Sequence, residues 1–201
     1  MFDPPKIDKT KLTLHTGGAL GSDSYFEKLS IEYGISVRAY SYKTKYHNSP
    51  NKVEISEEDY LDGVSEVNRA NKFLNRWGIH KYMNLLARNW PQVKYSKQII
   101  AIGRIVNPGQ KTSKGYCRST GQSVDGGTGY AIQMGINNMR DIWVFDQFME
   151  KWFRWSYSSM SFVESECPSI MSNDFAGIGT REINQSGINA IEDVFRKTFS
   201  L

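Results

Sequence analysis

The stretch Lys11-Leu12-Thr13-Leu14-His15-Thr16-Gly17-Gly18-Ala19-Leu20-Gly21-Ser22-Asp23 decides the fold. A short run with apolar residues reaches a cluster of three glycines. Beyond it, Phe26, Leu29 and Tyr33 recur at helical spacing until Gly34 stops them. Ile35-Ser36-Val37-Arg38-Ala39-Tyr40 then alternates as a strand does. Strand, turn, helix, strand is a βαβ unit, with parallel strands and a right-handed crossover. Ser24 and Glu27 stand at capping-box spacing, which predicts a capped helix start.

The pattern repeats further on. Ser56-Glu57-Glu58-Asp59 opens a helix, its acids favouring the positive end, with Leu61, Val64, Val67 and Phe73 as a partial apolar face. A second helical stretch starts near Lys81, and Pro91 is expected to perturb or end it. Gln98-Ile99-Ile100-Ala101-Ile102-Gly103 reads as a buried parallel strand. A second glycine turn, Val124-Asp125-Gly126-Gly127-Thr128-Gly129-Tyr130, opens a short helix through Ile132 and Ile136. Asp141-Ile142-Trp143-Val144-Phe145-Asp146 is the next strand. Residues 151–165 read as a β-hairpin at an edge, 175–181 as another strand running into a turn, and Ile188, Ile191, Val194, Phe195 and Phe199 as a closing amphipathic helix. Residues 42–53 and 106–123 are polar and read as loops, the second long enough to be functional or mobile. Alternating strands and helices predict one α/β domain over 1–201, a doubly wound and mainly parallel sheet with the 151–165 hairpin appended.

Bulk composition bounds the function. The 201 residues are 39% hydrophobic and 13% aromatic, with five Trp and eleven Tyr, so a packed core is expected rather than disorder. A net charge of +4 suits an anionic ligand and is too weak to argue for nucleic acid. Two cysteines make no disulfide framework, and three scattered histidines add no metal-ligand spacing, so neither a metal nor a cofactor is expected. No run approaches a membrane span, and Met1-Phe2-Asp3-Pro4-Pro5-Lys6 has no apolar signal core, so a cytoplasmic protein is expected.

Glycine pairs let a backbone approach a ligand, and the helix that follows points free N–H groups at an anion. Gly17, Gly18 and Gly21, with Gly126, Gly127 and Gly129, are therefore read as two phosphate cradles, with Thr16 and Thr128 as hydroxyl donors; tight structural turns are the alternative. Ser22 and Asp23 start a helix, and Asp23 is either a cap and ligand-orienting group or an acid/base group. Arg88, beside Asn89, is a phosphate clamp or a helix-end arginine. Arg181 is a third phosphate contact or part of a link. Lys111, Lys114 and Arg118 form a lid or a solvated loop. Trp152, Trp155 and Tyr157 stack on a base or, as hairpin aromatics more often do, cover a core or an oligomer face. Cys117 is read as a bystander. The carboxylates available for catalysis are Asp23, Asp125 and Asp146.

Gly-Gly-Ala-x-Gly-Ser-Asp after a strand, and Gly-Gly-Thr-Gly before a helix, resemble the SLOG superfamily of Rossmann-like nucleotide-binding domains. Residues 15–23, 85–93, 124–134, 144–146 and 175–181 carry the likeness, which covers about three quarters of the chain. The superfamily takes in LOG-type phosphoribohydrolases, DprA-type DNA-processing proteins and sensors of ADP-ribose-type immune signals; this chain looks closest to the SLOG-like proteins of bacteriophages. The resemblance implies a Rossmann-like fold, a nucleotide-derived ligand, self-association into a homo-oligomer and, for a viral protein, a place in the host cytoplasm. It also implies a role in sequestering a host immune messenger. One departure matters. The LOG motif Pro-Gly-Gly-x-Gly-Thr-x-x-Glu lays Asp125 on its proline, Tyr130 on its threonine and Gln133 on its glutamate. A glutamine supplies hydrogen bonds to a base or ribose and no carboxylate. Binding without LOG chemistry is therefore the expectation, with N-glycosidic hydrolysis or transfer as the alternative and DNA binding as the third.

Overall fold

The structure is a computed structural model that describes residues 8–44, 47 and 49–199. The N-terminal segment read above for a signal core, and Lys45 and Asn48 of the polar loop, lie outside the described residues. In chain order the strands and helices are β1 Thr13–Thr16, α1 Ser22–Glu32, β2 Ser36–Ser41, β3 Lys52–Glu54, α2 Glu57–Leu74, α3 Met83–Ala87, α4 Asn89–Lys94, β4 Gln98–Gly103, β5 Ile105–Val106, β6 Lys111–Thr112, β7 Gly115–Tyr116, β8 Ser123–Val124, α5 Thr128–Asn137, β9 Asp141–Asp146, β10 Lys151–Ser156, β11 Ser161–Ser165, β12 Asp174–Gly179 and α6 Gln185–Phe199.

Eight strands form one sheet in the order β11-β10-β9-β4-β12-β1-β2-β3. The six from β9 to β3 run parallel; β10 adds antiparallel to β9, and β11 antiparallel to β10. The fold is thus α/β and Rossmann-like, as the alternation predicts. The hairpin stands at the sheet's edge, as read from the sequence, and continues the sheet, with Trp152 opposite Phe145 and Phe153 opposite Val144. Strand β12, the last in the chain, sits in the middle between β1 and β4.

Alternation along each strand splits the core in two. Ile99 and Ala101 of β4 face α2, α4 and α5, with Ile142, Val144 and Ile178. Ile100 and Ile102 face α1 and α6, with Leu14, Phe26, Phe175 and Phe195. Both layers are apolar and close-packed on β4, which is buried at all six positions, as a parallel central strand must be. Trp152 and Trp155 join these cores, one on each face, rather than standing ready to stack on a base. No helix among the described residues is long and apolar enough to cross a membrane.

Two local readings are corrected and one is refined. The Ser24–Glu27 capping box does not form: α1 begins at Ser22 after Gly21, and Glu27 instead accepts bonds from Ser49 and Asn51 on the neighbouring loop. Of the two outcomes expected at Pro91, the stretch is interrupted, at Arg88 between α3 and α4, but not ended: Pro91 lies in the first turn of α4, where a missing N–H costs nothing. The two polar loops are not structureless. Residues 42–53 contain β3, and 106–123 carry the β6–β7 hairpin and reach β8, which pairs with β5.

Candidate functional site

Because β1, β12, β4 and β9 are parallel, Thr16, Gly179, Gly103 and Asp146 end on one edge of the sheet. The chain leaves β1 towards β2 and leaves β4 towards β9, so the order reverses across β12. Ligands of doubly wound sheets bind at such a reversal. A cleft of about 1080 Å³ opens there, at the upper end of the roughly 300–1,000 Å³ of ordinary small-molecule sites.

The two glycine turns meet this cleft differently. The second is carried out to it by the β5–β8 ribbon, which extends from the end of β4. Arg76 fixes it from behind, donating to the carbonyls of Gly126 and, at 2.6 Å, Val124. Asp125 accepts from the Gly126 amide at 2.7 Å. Gly126 has φ +67°, which a side chain would resist, and Gly127 opens α5 with no side-chain cap. A Cβ on Gly127 would stand in open space. No partner is found among the described residues for the amides of Gly127 and Thr128, and both residues line the cleft. The Gly129 corner, by contrast, packs on the Val124 carbonyl.

The first turn faces the protein. The Gly17 carbonyl accepts from the Arg88 guanidinium and, at 3.0 Å, from His47 Nε2. A Cβ on Gly17 would collide with Arg88 and lie 2.6 Å from Asp23 Oδ2. Gly18 backs onto His47, and Gly21, at φ +95°, passes 2.5 Å from the carbonyl of Thr180 by the same measure. Ser22 gives both its amide and its hydroxyl to that carbonyl, at 3.0 and 2.9 Å. Thr16 is fully buried. None of these five residues lines the cleft. What the corner does is position two residues that line it, Asp23 and Arg88.

Arg88 is the unusual group. It is 7% exposed, donates only to the carbonyls of Gly17 and, at 3.4 Å, Tyr40, and forms no ion pair among the described residues. Its Nε has no hydrogen-bond partner among the described residues. Burial opposes its charge and so does neighbouring Arg181, whereas Asp23 supports it. Arg181 is exposed and lines the same cleft. Asp23 accepts from the Gly179 amide at 3.0 Å, and burial pushes its carboxyl above the ordinary range against the pull of Arg88. Asn89 and Gly126 line the cleft as well.

Other predicted residues stand elsewhere. Asp146 is 1% exposed and accepts from the amides of Ile105, Phe148 and Met149, so it anchors β5 and the β9–β10 turn instead of facing a ligand. Gln133 is buried on α5 and bonds Asn137, away from the cleft. Asp125 does line the cleft and holds Ser113 at the tip of the β6–β7 hairpin, at 2.9 Å to its amide and 3.2 Å to its hydroxyl. Through that hairpin, Lys111, Lys114 and Arg118 reach the cleft. Cys117 also lines the cleft; burial pushes its thiol up, but hydrogen bonds with Ser119 and Ser123 outweigh this and bring it below its ordinary value. Among the described residues no cluster of His, Cys, Asp or Glu is arranged to hold a metal ion.

Sequence reasoning missed Trp77, Tyr82, Tyr116 and Phe148, which all line the cleft and are exposed. Trp77 and Phe148 fall in connections, Tyr82 in a single 3₁₀ turn and Tyr116 in the two-residue β7, all too short for a periodicity to mark them. Comparison with protein-family models, with curated proteins and with solved structures returns no match.

Proposed function

We propose that the cleft binds a phosphate-bearing, nucleotide-derived ligand, of the ADP-ribose or cyclic-nucleotide kind, and holds it without LOG-type hydrolysis. The observation that carries this reading is Arg88: a buried guanidinium with an unpartnered Nε, lining a cleft that also contains Arg181 and the uncapped start of α5. Buried charge is costly unless paired, and a phosphate is the bidentate partner that a guanidinium fits best. An anion over the Gly127 and Thr128 amides gains from the same helix end. The lining holds seven Lys or Arg against three Asp or Glu, an excess equal to the whole chain's +4.

The resemblance to SLOG domains of phages extends the proposal to a role: sequestering a host immune messenger in the host cytoplasm, as a homo-oligomer. The test is direct. Protein incubated with an ADP-ribose-type signal is washed and denatured, and the released compound is weighed by mass spectrometry. Intact ligand is expected; recovery of ribose-phosphate or free base would overturn binding without cleavage.

Asp23 supports a second reading, as a hydrolase or transferase at an N-glycosidic bond. It is buried, lines the cleft and has a raised pKa, the profile of a general acid. Turnover of ADP-ribose or a nucleoside monophosphate that disappears in Asp23→Asn would establish this alternative, and its absence across both substrates removes it.

A further inference from the structure

Five aromatic side chains are exposed among the described residues, and four of them line this one cleft. Trp77, at 80%, is the most exposed, and Tyr82 follows it on the same wall, in the connection from α2 to α3. Large rings left bare beside a polar cleft have apolar faces that no core residue covers. Each of these faces already meets a cation from the opposite rim. The Arg118 guanidinium lies 3.6 Å from the Trp77 ring centre, and Lys114 Nζ lies 4.5 Å from that of Tyr82. Both cations belong to the β6–β7 hairpin and its exit, which is tied down chiefly through Asp125 and Ser113. Cation–π contacts of exposed pairs are weak and exchangeable.

We infer that Trp77 and Tyr82 form a subsite for a planar base, whose ring displaces Arg118 and Lys114 from the two aromatic faces. The displaced cations then sit over a ligand that is itself anionic, so the hairpin closes on what it has released. This rests on the reading of the cleft as a phosphate-ligand site and specifies which wall reads the base. A purine or a pyrimidine satisfies it, since every base has a π-face.

Calorimetric titration of ADP, GDP, UDP and inorganic pyrophosphate into the full chain tests it. The variants are the double Trp77→Ala/Tyr82→Ala, which removes only exposed rings, and Trp77→Phe. At least one nucleoside diphosphate should bind wild-type protein more tightly than pyrophosphate does. The double variant should lose about 5- to 100-fold for that nucleotide and stay within about twofold for pyrophosphate, and Trp77→Phe should retain most of the wild-type affinity. Equal weakening of both probes, or none for the nucleotide, overturns the inference. Pyrophosphate bound as tightly as every nucleotide overturns it too, but leaves the anion site standing. No binding of any probe to wild-type protein overturns both.

Discussion

Gly17 and Gly127 have the same side chain and opposite roles. A methyl group on Gly17 enters the space of the Arg88 guanidinium and the Asp23 carboxylate, while one on Gly127 meets nothing. Gly17→Ala should therefore cost about 1–3 kcal/mol of stability, as overpacking does. It should also weaken pyrophosphate binding, because Arg88 must move; denaturant melts and titrations check the pair. A variant as stable as wild type would mean that the corner yields freely. The sequence motif alone could not separate these glycines. Both stand in a strand-to-helix turn, and only the sheet order tells which turn the chain folds back upon. Arg88 was legible as a candidate, but its burial without a direct ion pair among the described residues, with Asp23 near enough only to favour its charge, was not, since that depends on how the folded chain spaces the two. Asp146 and Gln133 were drawn in by position on a strand end and by motif alignment. Amides from three other residues claim the first, and Asn137 claims the second.

At the level of elements, long periodic or continuous stretches were readable. Strand β9 was foreseen at 141–146 and observed at Asp141–Asp146, and β4 likewise at Gln98–Gly103. Short elements escaped, because β3, β5, β6, β7 and β8 span only two or three residues and have too few side chains for a period. Strand β1 carries a second testable feature. His15 is 3% exposed, accepts from the Tyr40 hydroxyl at Nδ1 (2.9 Å) and donates from Nε2 to Asp174 (3.0 Å), an arrangement that a neutral imidazole satisfies. Burial holds it below its ordinary 6.5, outweighing the pull of Asp174. A folded pKa below the unfolded one means that the unfolded chain binds more protons, so stability falls as pH drops below 6.5 towards the folded value. The loss should approach about 1.4 kcal/mol per pH unit in that window. His47, lowered by burial too, adds to the slope. Melting temperature against pH should be visibly flatter in His15→Gln than in wild type between pH of about 5 and about 6.5, where the unfolded histidine titrates. Parallel curves would show that His15 does not titrate on unfolding.

Across the whole molecule, the mild net charge concealed a strong local one. Four excess positive charges spread over a surface steer nothing, whereas the same excess gathered in a cleft focuses its field on an anion. Binding of pyrophosphate should therefore weaken roughly fivefold or more between 50 and 500 mM NaCl, and a salt-independent constant would contradict the electrostatic account. The parallel sheet and its carboxyl edge were foreseeable from alternation of strands and helices. That β12 would return from the end of the chain to the sheet's centre was not, and it is β12 that brings Thr180 and Arg181 to the cleft. The uncapped start of α5, at the same edge, is where the account is most exposed to refutation. Gly127 sits at φ −64° and ψ −32°, so alanine fits its backbone and should leave the melting temperature unchanged or slightly raised. The added methyl would stand where a phosphate must approach the helix amides. The measurement is a calorimetric titration of pyrophosphate and ADP-ribose into wild-type protein and Gly127→Ala. The account predicts binding by the wild type and a loss of about tenfold or more in an equally stable variant; undiminished affinity in the variant, or no uptake of either anion by the wild type, would contradict it.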